Sequence, residues 1–145
     1  MEFIRVTNQE QLKECLDIRK EVFVIEQQVP VDLEIDEIDA SPASGYHVLI
    51  REDNQGVAAA RWKDYGEGRA KLQRIAVRKL FRGTGLGSKL VSGMELHAKE
   101  LGFREAVLDA QCQAESFYAK MGYKTISEEP FDDAGIPHVR MIKSL

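Results

Sequence analysis

The sequence predicts one domain of mixed α/β (α+β) class. Three observations carry this: β-rich runs separated by turn-forming clusters, a strand that enters a long amphipathic helix through a glycine-rich loop, and enough apolar residues for one core. The chain has 145 residues, of which 43% are hydrophobic, a size at which one core needs no metal or disulfide staple. No repeat, low-complexity tract or linker divides it, so residues 1–145 are expected to form a single domain.

Phe3 to Val6 reads as a short strand. Thr7 and Glu10 have the spacing of a capping box, in which each side chain satisfies a backbone N–H at a helix start. Leu12, Cys15, Leu16, Arg19, Val22 and Phe23 then recur at helical spacing, and Pro30 ends the regular structure. The segment from Pro30 to Gly45 reads as loop and turns. Within it Asp32, Glu34, Asp36, Glu37 and Asp39 surround Leu33, Ile35 and Ile38, an acidic stretch expected to be a solvated loop whose field would favour a cationic ligand.

Tyr46 to Arg51, Val57 to Lys63 and Ala70 to Val77 are β-rich runs with turn clusters between them, which predicts a three-stranded antiparallel meander. Leu86, Leu90, Met94, Ala98 and Leu101 form the stripe of a long helix that stops at Gly102. Ala106 to Leu108 follows as a strand. Ala114, Phe117, Tyr118 and Met121 mark a second, shorter helix closed by Gly122, and Tyr123 to Ile126 and Val139 to Ile142 close the chain as strands around the turn-rich Pro130 to Pro137.

Several function classes fall away on composition. A formal charge of −4 with 30% charged residues gives no basic field for nucleic acid. No apolar run approaches the roughly 20 residues that span a bilayer, and Met1 to Val6 does not open a signal sequence. Cys15 and Cys112 have no CxxC partner and read as free thiols of a reducing compartment, so the expected location is cytoplasmic. His47, His97 and His138 show no metal-ligand spacing, and no metal site is expected. The lone Trp62 reads as sheet packing.

The chemistry concentrates between Gln73 and Gly87. The strand Gln73-Arg74-Ile75-Ala76-Val77 leads through Arg82-Gly83-Thr84-Gly85-Leu86-Gly87 into the long helix. Glycines let a backbone approach a ligand, the first N–H groups of a helix have no internal partner, and the helix dipole favours an anion there. Arg82 adds a donor fork suited to pyrophosphate. The dinucleotide fingerprint GxGxxG fails, because Gly83 and Gly85 are followed by Ser88, and Gly85 and Gly87 by Leu90. The Walker loop GxxxxGK fails as well, with Ser88 five residues past Gly83.

The pattern (Gln/Arg)-x-x-Gly-x-(Gly/Ala) is met by Arg82, Gly85 and Gly87. Downstream, Ala114, Phe117, Tyr118, Gly122 and Tyr123 match A-x-x-F-Y-x-x-x-G-(F/Y). On these two ordered motifs the chain resembles the GNAT N-acetyltransferases. The segments Ile18 to Pro30 and Gly135-Ile136-Pro137-His138-Val139 resemble the ElaA/YjcF-like branch of that family. The resemblance implies a central mixed, mostly antiparallel twisted sheet flanked by helices on both faces, with acetyl-CoA as cosubstrate and an amine as acceptor. It also implies a homodimer, since relatives often dimerise.

By the same resemblance, the strand Gln73 to Val77 splays from the strand Ala106 to Asp109. The pantetheine arm would lie between them on backbone groups of Ile75 and Val77, with a backbone N–H near Ala76 polarising the thioester carbonyl. The pyrophosphate would rest on Arg82, Gly83, Thr84, Gly85, Leu86 and Gly87, with Ala114 at the second motif. Tyr118 is the implied general acid, because a phenol with a reference pKa of about 10 is protonated at neutral pH. Lys71-Leu72-Gln73-Arg74 stands where many relatives carry a glutamate base. Glu26 becomes the first candidate for the base, Glu34, Asp36 and Asp39 the second, and deprotonation through water the third. Gln111 replaces a frequent asparagine that bonds the pantetheine arm. These two departures leave a second expectation beside the enzyme, a non-catalytic coenzyme A sensor or partner-binding module.

Overall fold

The computed structural model describes residues 1–145. Strand β1 spans Glu2–Arg5 and helix α1 spans Gln9–Arg19. The helix is capped one residue later than the capping-box spacing predicts: Asn8, not Thr7, accepts the Gln11 N–H at 2.8 Å, while the Gln11 side chain reaches back to the Thr7 N–H at 2.8 Å. The reciprocal device is present but shifted, because Asn8 and Gln11 offer the same donor and acceptor set.

The helical path then widens into a π-helix over Lys20–Glu26. The predicted loop up to Gly45 carries two further pieces of helix, α2 at Val31–Glu34 and a 3-10 turn at Glu37–Asp39. Next come β2 (Tyr46–Glu52), β3 (Gln55–Gly66) and β4 (Arg69–Val77), then α3 (Leu86–Glu100), β5 (Glu105–Gln111), α4 (Glu115–Lys120), β6 (Lys124–Thr125), β7 (Phe131–Asp133) and β8 (Ile136–Ser144). The turn-rich segment before Pro137 therefore contains a strand, β7, which forms a hairpin with β8.

All eight strands join one sheet in the order β1-β2-β3-β4-β5-β8-β6, with β7 also paired to β8. Every pairing is antiparallel except β4 with β5. The expected mixed sheet is therefore present. Side-chain alternation sorts the two faces. Val48, Ile50, Ala58, Ala60, Trp62, Leu72, Leu108 and Ala110 pack with Leu90, Val91 and Met94 of α3 and with Tyr118 of α4. Leu49, Ala59 and Ala76 point the other way, onto Cys15, Ile18 and Val22. Trp62 is fully buried and stacks on Tyr46 at 4.0 Å between ring centroids.

The acidic stretch is not a solvated loop. Glu34 and Asp39 are buried, as are Arg19 and Arg61. Arg19 bonds Glu34 at 2.8 Å and Asp39 at 2.7 and 2.9 Å, and Arg61 bonds both oxygens of Asp36 at 2.7 Å and Asp39 at 2.9 Å. Glu34 and Asp39 can be buried because three arginines, Arg74 included, neutralise the carboxylates there, while Asp32 and Glu37 stay exposed. Burial alone would raise the Asp39 and Asp36 carboxyls, but Arg19 and Arg61 hold both below the usual carboxylate range. The network ties α1, α2 and the 3-10 turn to β3 and β4, and its negative charge is spent internally.

Candidate active site

Strands β4 and β5 pair only from Arg69 with Glu105 to Leu72 with Leu108. Beyond Leu72 the pairing stops, and the cause lies in β4. Between Ala59 and Arg61 the β3–β4 register slips, so that Arg74 and Ile75 together stand opposite Ala60, a β-bulge that bends the strand. Arg74 takes a left-handed φ of 56°, a conformation costly for a residue with a side chain. Its guanidinium holds it there, bonding the Glu34 carbonyl at 3.2 Å, the Leu33 carbonyl at 3.1 Å and the Glu34 carboxylate at 3.1 Å.

The bulge sets which backbone groups face the gap. Ala76 pairs with Ala59, and the Arg78 N–H donates to the Val57 carbonyl at 2.9 Å. Successive residues of a strand turn their N–H and C=O to opposite edges, so the amides of Ile75 and Val77 face away from β3, into the gap beside β5. The Ala76 amide itself is directed into the sheet, toward β3, so the N–H expected near Ala76 would come from one of its two neighbours. Between the splayed strands lies a cleft of about 460 Å³, within the usual range of small-ligand sites. It is lined by Ile75, Val77, Arg82, Gln111, Ala114, Phe117 and Tyr118 among others.

At one end of the cleft the chain runs through Gly83 and Gly85, with φ of 79° and 85°, into α3. Gly85 is the N-cap, and no side chain caps the helix, whose first N–H groups are left without a protein partner. A Cβ at Gly83 or Gly85 would meet nothing within 4 Å, so glycine is demanded there by backbone conformation. Thr84 holds the turn through its hydroxyl to the Phe81 carbonyl at 2.6 Å. Arg82 reaches across, donating Nε to the Val77 carbonyl at 2.9 Å and Nη2 to Glu26 at 2.8 Å.

Tyr118 projects into the same cleft from α4. It is 9% exposed, and burial, the one influence acting on its hydroxyl, pushes its pKa up to about 12. Phe117 packs edge-on at 5.0 Å and would touch a Cβ at Gly87 at 3.4 Å, which joins the second motif to the first. Gln111 donates to Gln27 of the π-helix region at 2.8 Å and accepts from Gln113 at 2.5 Å, so its amide bridges the cleft instead of standing free.

This arrangement matches a known family. A sequence model of the "Acetyltransferase (GNAT) domain" fits residues 5–145. The Bacillus subtilis "Uncharacterized N-acetyltransferase YjcF" is 41% identical over 99% of both chains. The chain belongs to the GNAT acetyltransferase family. Two solved GNAT-fold structures agree: an acyl-CoA N-acyltransferase from Pseudomonas aeruginosa, 26% identical with TM-score 0.86 over 99% of both chains, and Escherichia coli ElaA, 25% identical with TM-score 0.85 over 98% of both. A GNAT acetyltransferase from Elizabethkingia anophelis, solved with acetyl-CoA bound, shares the fold at TM-score 0.70 and 15% identity over 99% of this chain and 97% of that one.

The cleft fits the GNAT cosubstrate. It offers two strand amides turned away from β3, an uncapped helix N-terminus and an arginine, a donor set for an amide-bearing arm that ends in a diphosphate. The candidate bases fare differently. Glu26 is held by Arg82 at the rim, while Glu34, Asp36 and Asp39 belong to the arginine network. Sequence reasoning passes over Gln27 and favours a packed or surface role for His138 over one facing the acceptor pocket, yet both line the cleft. Gln27 is turned inward by the π-helix, which no spacing rule reveals, and His138 is aimed by the β7–β8 hairpin, hidden in a segment rich in turn formers.

Proposed function

We propose that the protein is an acetyl-CoA-dependent N-acetyltransferase that passes the acetyl group directly to an amine within a ternary complex. The observation that carries this reading is the splay of β4 from β5, which leaves the Ile75 and Val77 amides unpaired beside the uncapped start of α3. When bound, acetyl-CoA supplies an activated thioester. The Ile75 and Val77 amides receive the oxygens of the pantetheine arm and thioester, and donors fixed before reaction stabilise charge as it develops on the carbonyl oxygen. Arg82 and the N–H groups of the Gly83 to Gly87 turn hold the diphosphate. Ala114 and Phe117 line the wall against the arm.

Tyr118 keeps its proton at neutral pH, because burial disfavours the phenolate. It therefore has a proton to give to the sulfur that departs. Neither cysteine suits an acyl-enzyme route: Cys15 is buried, with burial the largest influence pushing its thiol up to about 12, and Cys112 packs against the main core. Acetyl-CoA should raise the melting temperature, and thiol release should follow on adding an acceptor from a panel of polyamines, amino acids, aminoglycosides and peptides. No stabilisation by acetyl-CoA or coenzyme A would overturn the reading. Stabilisation with no transfer to any acceptor would favour a coenzyme A sensor.

A further inference from the structure

The reaction proposed above requires a group to take the proton that the acceptor nitrogen loses. Three carboxylates in or beside the cleft are committed elsewhere, Glu26 to Arg82, Glu34 to Arg19 and Arg74, and Asp109 to Arg140 at 2.8 Å and Lys71 at 3.2 Å; a fourth, Asp133, lines the cleft from the exposed strand β7. We propose that His138 is the general base. The proposal rests on the transferase reading of the cleft, but its geometry stands separately.

His138 lines the cleft with 8% of its surface exposed. Its Nδ1 lies 2.6 Å from the Ile136 carbonyl. A carbonyl oxygen can only accept, so Nδ1 carries the proton and Nε2 keeps the lone pair. The β7–β8 hairpin fixes the ring, with Phe131 stacked on it at 6.2 Å and 26°.

Register places this lone pair relative to Tyr118. His138 stands directly opposite Gln111 across the β5–β8 pair, so the two side chains share a face. That face is the one carrying α1, since Gln111 reaches Gln27, whereas Val139 and Met141 point into the core on the α3 and α4 side along with Tyr118. Base and acid thus lie on opposite faces of the sheet, with the gap between β4 and β5 separating them. A neutral amine entering from the His138 side forms the C–N bond with its own electron pair. The C–S bond breaks, and its pair leaves on sulfur. His138 Nε2 takes the proton lost by nitrogen, Tyr118 gives one to sulfur, and solvent restores both residues.

The test uses the full chain and the substitution His138→Asn, whose amide keeps a donor for the Ile136 carbonyl but has no basic nitrogen. Turnover on the best acceptor of the panel should fall about 100-fold or more, with acetyl-CoA affinity unchanged and partial recovery of His138→Ala by added imidazole. Long-range proton–nitrogen NMR of the free protein should show His138 protonated at Nδ1. Wild-type turnover in His138→Asn, or a proton found on Nε2, overturns the role of His138 while leaving the transferase intact. Failure of the unmodified protein to bind acetyl-CoA, or to acetylate any acceptor, removes the reaction and the base together.

Discussion

Asp39→Asn is the sharpest probe of how the acidic segment is used. The Asp39 carboxylate has no exposed surface and accepts two bonds from Arg19, at 2.7 and 2.9 Å, with Arg61 at 2.9 Å. Removing its charge leaves two buried guanidiniums short of a counterion, and breaking a buried pair from one side costs about 3–5 kcal/mol. At about 3 °C per kcal/mol for a chain of this size, thermal unfolding should shift down by about 9–15 °C. Circular dichroism melts at pH 7 measure this. The pH dependence has a fixed sign. Asp39 is held below its unfolded value, so its contribution is complete above that value, about 3.9, and is lost as pH falls further. Glu34, raised mainly by burial, works in the opposite sense, but it does so in both proteins. The gap between wild type and Asp39→Asn should therefore close below pH ~4. A penalty under about 1 kcal/mol, the range of exposed pairs, would refute the buried network.

Other perturbations follow from the site and the core. Tyr118→Phe should cut turnover by about 10²-fold or more while leaving acetyl-CoA affinity unchanged in calorimetry, and an equal loss of binding would reassign the residue to packing. Arg82→Ala should weaken coenzyme A by about 10- to 100-fold, in line with the loss of charged hydrogen bonds. The same change should spare acetyl-pantetheine, which lacks the diphosphate. A Cβ at Gly93 would stand 2.2 Å from the Phe3 ring, so Gly93→Ala should cost about 1–3 kcal/mol through overpacking of α3 against β1. A denaturant midpoint equal to wild type would contradict that contact.

The parts of the fold that depend on local chemistry were readable from residues. The β-rich runs that become β2 to β4, the turn clusters between them and the apolar stripe of α3 ahead of Gly102 all follow short-range rules, and these elements lie close to where those rules put them. The acidic segment was misread because its partners, Arg19, Arg61 and Arg74, come from three distant stretches of chain. Local polarity signals a loop, and only the tertiary structure shows the charges paired. The bulge at Arg74 was invisible for a related reason. Arginine does not announce a left-handed φ, and what sustains it is a set of carbonyls some forty residues away, with |i−j| of 40 and 41. That bulge decides which amides face the cleft, so the motif residues from Arg82 to Gly87 were legible while the identity of the free amides was not.

The most direct test of the central claim is a titration of the isotopically labelled protein with acetyl-CoA, followed by amide proton–nitrogen spectra. The account predicts that the Ile75 and Val77 amides and those of Gly83 to Gly87 shift together and saturate at one equivalent, while the Ala76 amide, committed to β3, moves least of the three strand residues. Saturable binding that leaves Ile75, Val77 and the glycine turn unmoved would contradict it.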